Sequence, residues 1–290
     1  MTKLIISNST NPYYNLAIEE WAVRNLDTSE CDYLFLYQNK DCVVVGRNQN
    51  VFQEVNLRFC KANNIQICRR VSGGGTVFHD LENLNWTFIS KFELNKVNNY
   101  KIFAEPIINV LKKLGLDAKL NERNAIMVGE TKVSGQAQFT NRKNILSHGT
   151  LLINSDTKKL NHSITIKNKK VTSKASPSVR STVKTIVDLL NDEISIKYVS
   201  DLILKECAAS SLVDIENTPI QEKIKTLETT YQTNKWLYER SSKCIIEENI
   251  DGEDFILEIE KAKIVSVKTK KGEEKNQHPF LNMFYTDLLQ

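Results

Sequence analysis

Three stretches gather residues able to handle a carboxylate or a phosphate. The first is Arg69-Arg70-Val71-Ser72-Gly73-Gly74-Gly75-Thr76-Val77-Phe78-His79-Asp80. Consecutive glycines carry no Cβ, so successive backbone N–H groups can converge on an anion. Two arginines ahead of the turn add permanent charge and paired donors suited to phosphate or carboxylate. The flanking segments read as strands, so this is not a GxGxxG strand-to-helix turn, and no GxxxxGK[ST] phosphate loop occurs in the chain. The competing reading is a glycine-rich hairpin with solvated arginines. The second stretch, Gly129-Glu130-Thr131-Lys132-Val133-Ser134-Gly135-Gln136-Ala137, sets one lysine among small residues that leave room for a ligand above it. Its competing reading is a hairpin with an exposed lysine. The third, Ser147-His148-Gly149-Thr150, precedes an apolar run and offers one histidine, as a hydrogen-bonding group or a catalyst.

Elements must position these residues. Asn11-Pro12 reads as a helix cap followed by proline at the first helical position. Tyr14, Ala17, Ile18, Trp21 and Ala22 then repeat at helical spacing, which predicts a helix over 12–25. Short apolar runs at 33–37 and 42–45, separated by Gln-Asn-Lys-Asp, predict a hairpin. A polar helix is expected at 53–63. Strands are expected at 65–71, 77–80, 84–90, 125–128, 131–137 and 149–153, with a helix at 102–114 stopped by Gly115. Helices follow at 181–190, 198–209 and 219–238. Strands return after 243, and the last thirteen residues read as one short helix. The Lys/Ser-rich run 167–180 lacks periodicity and reads as a mobile basic loop.

The chain has 290 residues, 41% hydrophobic and 26% charged, which excludes a disordered chain. No apolar run is long enough to span a bilayer. The N-terminus carries neither a secretory pattern nor an Arg-rich transit pattern, so a cytoplasmic protein is expected. A net charge of +4 is too balanced to announce nucleic acid, and the aromatic–basic interleaving of a single-strand binder is absent. Six cysteines without a CxxC pair read as reduced thiols.

In combination, RRVSGGGTVFHD at 69–80, KVSGQA at 132–137 and HGTLL at 148–152 resemble the lipoate–protein ligase family. NLAIEE at 15–20, VVVGRNQN at 43–50 and SVRSTV at 178–183 extend the resemblance over about residues 3–240. It implies an α/β fold with a mixed sheet, akin to the catalytic domain of biotin protein ligases, over 1–240. A short C-terminal accessory unit would occupy 241–290. The implied activity is ATP-dependent conversion of lipoate to lipoyl-AMP. Transfer to a lysine of the lipoyl domains of 2-oxoacid dehydrogenases, or of the glycine-cleavage H-protein, would follow. ATP and Mg2+ are the implied cofactors, lipoate or octanoate the small-molecule substrate, and a monomer without nucleic-acid or membrane partners the implied state.

By the same resemblance, Arg70, Gly75, Thr76, Val77, Phe78 and Lys132 hold the nucleotide. Lys132, Ser72, Gly73, Gly74, His79, Ser134, Gly135, Ala137 and His148 form the lipoate site. Lys132 is the implied catalytic residue, bridging the acid's carboxylate and the α-phosphate. The family often has Arg-Asn-Asp where this chain has Arg123-Asn124-Ala125, and no metal ligand is assigned. The acceptor is an acidic carrier domain, and the basic run 167–180 is expected to dock it or to fold over the adenylate. Two other readings stay open. One is an ATP-independent lipoyl or octanoyl transferase using preformed acyl-AMP or an acyl carrier protein; transfer through a thioester would need an activated cysteine, for which Cys68 is nearest. A degenerate ligase fold could instead hold lipoate or a carrier without catalysis.

Overall fold

The computed structural model describes residues 1–164, 170–215, 218–275 and 277–289. In chain order the first half contains β1 (Thr2–Ile5), α1 (Pro12–Asn25), β2 (Asp32–Tyr37), β3 (Cys42–Val45), α2 (Val51–Glu54), α3 (Leu57–Ala62), β4 (Gln66–Arg69), β5 (Val77–His79), β6 (Asn83–Lys91) and α4 (Tyr100–Lys113). Next come β7 (Ala118–Leu120), β8 (Ile126–Val128), β9 (Thr131–Ser134), β10 (Gln136–Thr140), β11 (Asn144–Leu152), α5 (Thr157–Ile164) and β12 (Lys170–Ser173). The last third adds α6 (Ile186–Leu190), α7 (Ile196–Glu206), β13 (Ala209–Val213), α8 (Thr218–Tyr231), α9 (Asn234–Leu237), β14 (Cys244–Ile250), β15 (Glu253–Glu260) and β16 (Lys263–Thr269).

A six-stranded mixed sheet, order β10-β11-β6-β2-β1-β13, forms the backbone of the molecule. Beside it lie a sheet of order β4-β3-β5, a sheet of order β7-β8-β9, and an antiparallel sheet of order β12-β14-β15-β16. The fold class expected from the sequence is present. Helix α1 begins where its cap predicts: the Asn11 side chain accepts from the Tyr13 amide, with Pro12 at the first position. Its apolar residues are buried, and so are Asn15, Glu19 and Glu20.

The expected 33–37/42–45 hairpin does not form. β2 pairs with β1 and β6, while β3 is the centre of another sheet, between β4 and β5. All four residues of β3 are buried. An uninterrupted apolar strand needs cover on both faces, which a central position supplies and a two-stranded ribbon does not.

Other expectations shift in extent. The 53–63 helix is two short pieces, α2 and α3. The 181–190 helix starts only at Ile186, because 182–184 runs beside β9: the Lys132 amide donates to the Thr182 carbonyl at 2.9 Å. The 219–238 helix breaks where Thr233 caps α9. In place of the expected final helix, the described residues of the last segment form a bridge from Phe284 to Lys263 and a 3-10 turn at Asp287–Leu289. Of the basic run 167–180, residues 167–169 lie outside the described residues, and 170–173 are not loop but strand β12.

The C-terminal sheet does not sit apart from the rest. Its buried Ile246, Leu257, Ile259 and Ile264 share one hydrophobic core with Val43, Val45 and Phe52. Phe52 meets Tyr285 edge-on at 5.4 Å between ring centres. A boundary at 240/241 would cut through this core, and β12 reaches the C-terminal sheet from well upstream of it.

Candidate active site

A cavity of about 720 Å³ opens between the glycine loop, the β9–β10 turn, β11 and the segment 176–181. The loop's shape is set by close backbone approach. Gly74 has φ +86°, a left-handed value that favours glycine, and its carbonyl oxygen lies 2.1 Å from where a Cβ on Gly46 would stand. Gly46 therefore admits the loop, and Gly74 turns it.

The two arginines before the loop part company. Arg69 is wholly buried and does not line the cavity. Its guanidinium donates to the carbonyls of Gln49 at 2.7 Å, Leu237 at 2.8 Å and Gly46 at 3.0 Å. Burial, with Arg240 and Arg70 nearby, lowers its pKa to about 10. It is a clamp on the backbone, not an anion site. Arg70 does reach the cavity wall, yet its donors are engaged with β3 and the loop: the carbonyls of Val44 at 3.0 Å, Gly73 at 2.7 Å and Gly75 at 2.7 Å, and Ser72 Oγ at 2.9 Å. Burial lowers its pKa to about 10 as well, against the pull of the Glu19 carboxylate. Arg70 thus shapes the loop and places a positive charge behind it.

Lys132 lines the cavity from β9. Burial, then Arg70, pushes its ammonium below the ordinary lysine value. Its Nζ lies over Gly135, where a Cβ would stand only 2.9 Å away. Among the described residues no carboxylate lines the cavity, so its cations face an anion-free space. The same fact bears on magnesium: no group of three metal-ligating side chains occurs among the described residues, and Ala125 forms part of the wall. The cavity therefore offers a divalent cation amide and backbone oxygens but no carboxylate, which does not make a resident metal site.

A buried polar chain backs the site. His148 Nε2 is 2.7 Å from Ser72 Oγ, and His148 Nδ1 is 3.0 Å from both Glu19 carboxylate oxygens. Burial alone would raise the Glu19 carboxyl, but the His148 charge and hydrogen bonds from His148, Thr87 and Tyr37 outweigh it and hold it below its usual value. His79 also lines the cavity; Asn39 Nδ2 donates to its Nδ1 at 3.0 Å, which leaves the proton on Nε2. Burial, Arg70 and His148 push His79 down to about 3, so it is neutral.

Of the residues expected from the sequence, Lys132, Arg70, Gly73, Gly74, Gly75, Thr76, Val77, His79, Gly135, Ala137 and His148 meet at this cavity. The side chains of three others do not line it. Phe78 points away between Val77 and His79 and packs into the core, as strand alternation requires. Ser134 is fully buried: a register shift opposite Ile126 and Met127 makes Val133 an extra residue, so Ser134 no longer follows Lys132. Ser72 is spent on Arg70 and His148.

Residues 11–208 match the lipoyl protein ligase A/B catalytic domain. The chain is 39% identical over 240 residues to lipoate–protein ligase 1 of Staphylococcus aureus, covering 82% of this chain and 73% of that protein. It is 36% identical over 273 residues to a lipoate–protein ligase of Bacillus subtilis, covering 90% and 82%. This chain belongs to the lipoyl protein ligase A/B family. The solved structures agree on the fold. An ATP-bound lipoate–protein ligase A superimposes with a TM-score of 0.69 at 24% identity, covering 82% of this chain and 98% of that one. A bi-partite lipoate protein ligase of Thermoplasma acidophilum, described with its E2 lipoyl domain, gives 0.67 at 24%, covering 82% and 96%.

The sequence reading named Arg123-Asn124-Ala125 and, within NLAIEE, Glu19, but gave Glu19 no role and missed Tyr37, Asn85, Tyr100 and Asn121. One signal was available: Glu19 and Glu20 interrupt the apolar face of α1, and a carboxylate there must find partners. Glu20 finds Tyr231 and Arg24, while Glu19 finds His148.

Proposed function

We propose that this chain is an ATP-dependent lipoate–protein ligase. A lipoate carboxylate oxygen attacks the α-phosphorus of ATP and pyrophosphate leaves. An acceptor lysine amine then attacks the acyl carbonyl, AMP leaves, and the amine loses a proton as the amide forms. The carrying observation is Lys132, a half-buried cation in a cavity with no carboxylate to neutralise it. Both partners in the first step are anions, so charge must be offset and the attack aligned. Lys132 does so between carboxylate and α-phosphate, and in the second step meets the charge that returns to AMP. The backbone from Gly75 to Phe78 supplies amide donors, and Arg70 fixes that loop.

Glu19 and Ser72 hold the His148 ring at the cavity wall, where with Ala137 and His79 it receives the acyl chain. Magnesium enters as the counter-ion of the nucleotide substrate. The acceptors are lipoyl domains and the H-protein, octanoate is the rival acid, and the enzyme acts as a cytoplasmic monomer. No described helix is long and apolar enough to cross a membrane. A thioester route is disfavoured, because among the described residues no cysteine lines the cavity and Cys68 is buried beside Cys42. The test incubates protein, lipoate, ATP, magnesium and a lipoyl domain, omitting each in turn, and weighs the domain. Modification that persists without ATP would overturn the reading.

A further inference from the structure

The two ends of Lys132 are held differently. Its backbone is clamped on both edges of β9. On one side it pairs with Met127 of β8; on the other its amide donates to the Thr182 carbonyl at 2.9 Å, and its carbonyl accepts from the Lys184 amide at 3.3 Å. The ammonium at the far end of the side chain has no such clamp, and among the described residues no carboxylate lines the cavity to hold it. It rests over Gly135, three residues on. A Cβ on Gly135 would stand 2.9 Å from Nζ and 3.1 Å from Cε and, chain neighbours aside, would meet nothing else within 4 Å. Gly135 does not have a left-handed φ, so the turn itself does not call for glycine. What calls for it is the tip of Lys132.

Gly135 has no room to retreat. Its carbonyl accepts from the Thr150 amide at 3.1 Å, and its amide donates to Thr150 Oγ1 at 3.3 Å. Behind it stands Gly149, where a Cβ would lie 2.8 Å from the Gly135 carbonyl oxygen and 2.4 Å from the Trp86 ring. The backbone of Gly135 thus rests on Gly149, and Gly149 on a buried indole. We propose that Gly135 is the positioning residue of Lys132: by lacking a side chain on a backbone that cannot yield, it sets where the ammonium stands relative to the reacting atoms. A methyl group at 135 would be relieved by the lysine tip and not by the chain. Ordinary non-bonded contact is roughly 3.5 Å, so Nζ would shift by about half an ångström or more. A single cation that serves a carboxylate and an α-phosphate together tolerates little of this, since a misplacement of about 1 Å can cost 10²-fold in rate. This inference rests on the ligase reading of Lys132 above.

The experiment measures pyrophosphate release, carrier modification and melting temperature for wild type, Gly135→Ala, Lys132→Ala and the double variant. Gly135→Ala should keep its melting temperature and its KM for ATP and for lipoate, and lose about ten- to a hundred-fold in kcat for both steps. In the Lys132→Ala background the same substitution should cause no further loss, because no ammonium is left to misplace. The double-mutant cycle then returns a coupling as large as the whole effect of Gly135→Ala. A merely structural role would lower both backgrounds equally. If Gly135→Ala does not fold, the double variant decides: its methyl group meets no lysine tip, so it should fold, and its failure to fold overturns the proposal. A wild-type kcat in Gly135→Ala, or an equal loss in both backgrounds, overturns the positioning role and leaves the ligase reading intact. A wild-type protein that releases no pyrophosphate from ATP and lipoate overturns both.

Discussion

Replacing Lys132 by alanine removes an ammonium from a cavity that, among the described residues, no carboxylate lines. The expected outcome of Lys132→Ala is a loss of at least about 10²-fold in both pyrophosphate release and carrier modification, with the melting temperature nearly kept. Near wild-type modification of a lipoyl domain, read by mass, would remove Lys132 from its role. His79 gives a pH test. Its folded pKa of about 3 lies below the unfolded 6.5, so in between the unfolded chain binds a proton that the folded one refuses. Stability is then complete above about pH 6.5 and falls as pH drops toward 3, by up to about 1.4 kcal/mol per pH unit from this one group. The loss of stability between pH 6.5 and 4 should be shallower in His79→Gln than in wild type; equal slopes would show that His79 is protonated in the fold. At this scale the motif residues were legible because glycines, arginines and one lysine lie close in sequence. What each arginine does was not. Arg69 and Arg70 are adjacent and chemically identical, and only strand alternation sends one to the core and the other to the cavity.

Arg69 joins elements. Its guanidinium ties the loop after β3 to the end of α9 through Gly46, Gln49 and Leu237, and adds Ser241 Oγ at 3.1 Å. Arg69→Met would fill much of the same volume but leave several buried carbonyls without donors. Each such orphan costs about 1–3 kcal/mol, so a total loss of at least 3 kcal/mol is expected. Denaturant unfolding checks this, and a loss below 1 kcal/mol would mean that water reaches those carbonyls. The elements themselves were legible where one period dominates: α1 at 12–25 and α4, expected at 102–114, lie where their apolar spacing puts them. They were not legible where pairing is non-local. β2 and β3 are neighbours in sequence and read as a hairpin, yet their partners β6 and β4 come from other parts of the chain. The run at 170–173 has no strand signal of its own and becomes a strand because β14 offers an edge.

Across the whole molecule, the C-terminal sheet and the ligase site are linked twice. One link is the shared core, in which Leu257 and Ile259 lie with Val43, Val45 and Phe52, directly behind the strand that precedes Gly46. The other is β12, which pairs with β14 and continues into the cavity-lining segment 176–181; Ser173 on it bonds Gln53 at 2.6 Å. The return of strands after 243 and the family resemblance suggested a separate unit from 241, but the order of elements does not reveal which surface a sheet covers. If the core is held in common, the chain should melt in one transition, because neither part keeps a complete core without the other. Leu257→Ala, at a fully buried position, should then cost about 2–5 kcal/mol and displace the whole transition, including the signal from ligands bound at the distant cavity. Calorimetry with and without ATP makes the comparison. Two resolved transitions, with only the smaller one moved by Leu257→Ala and only the larger one moved by ATP, would establish that 241–290 folds on its own and that β12 is merely an edge strand borrowed by it.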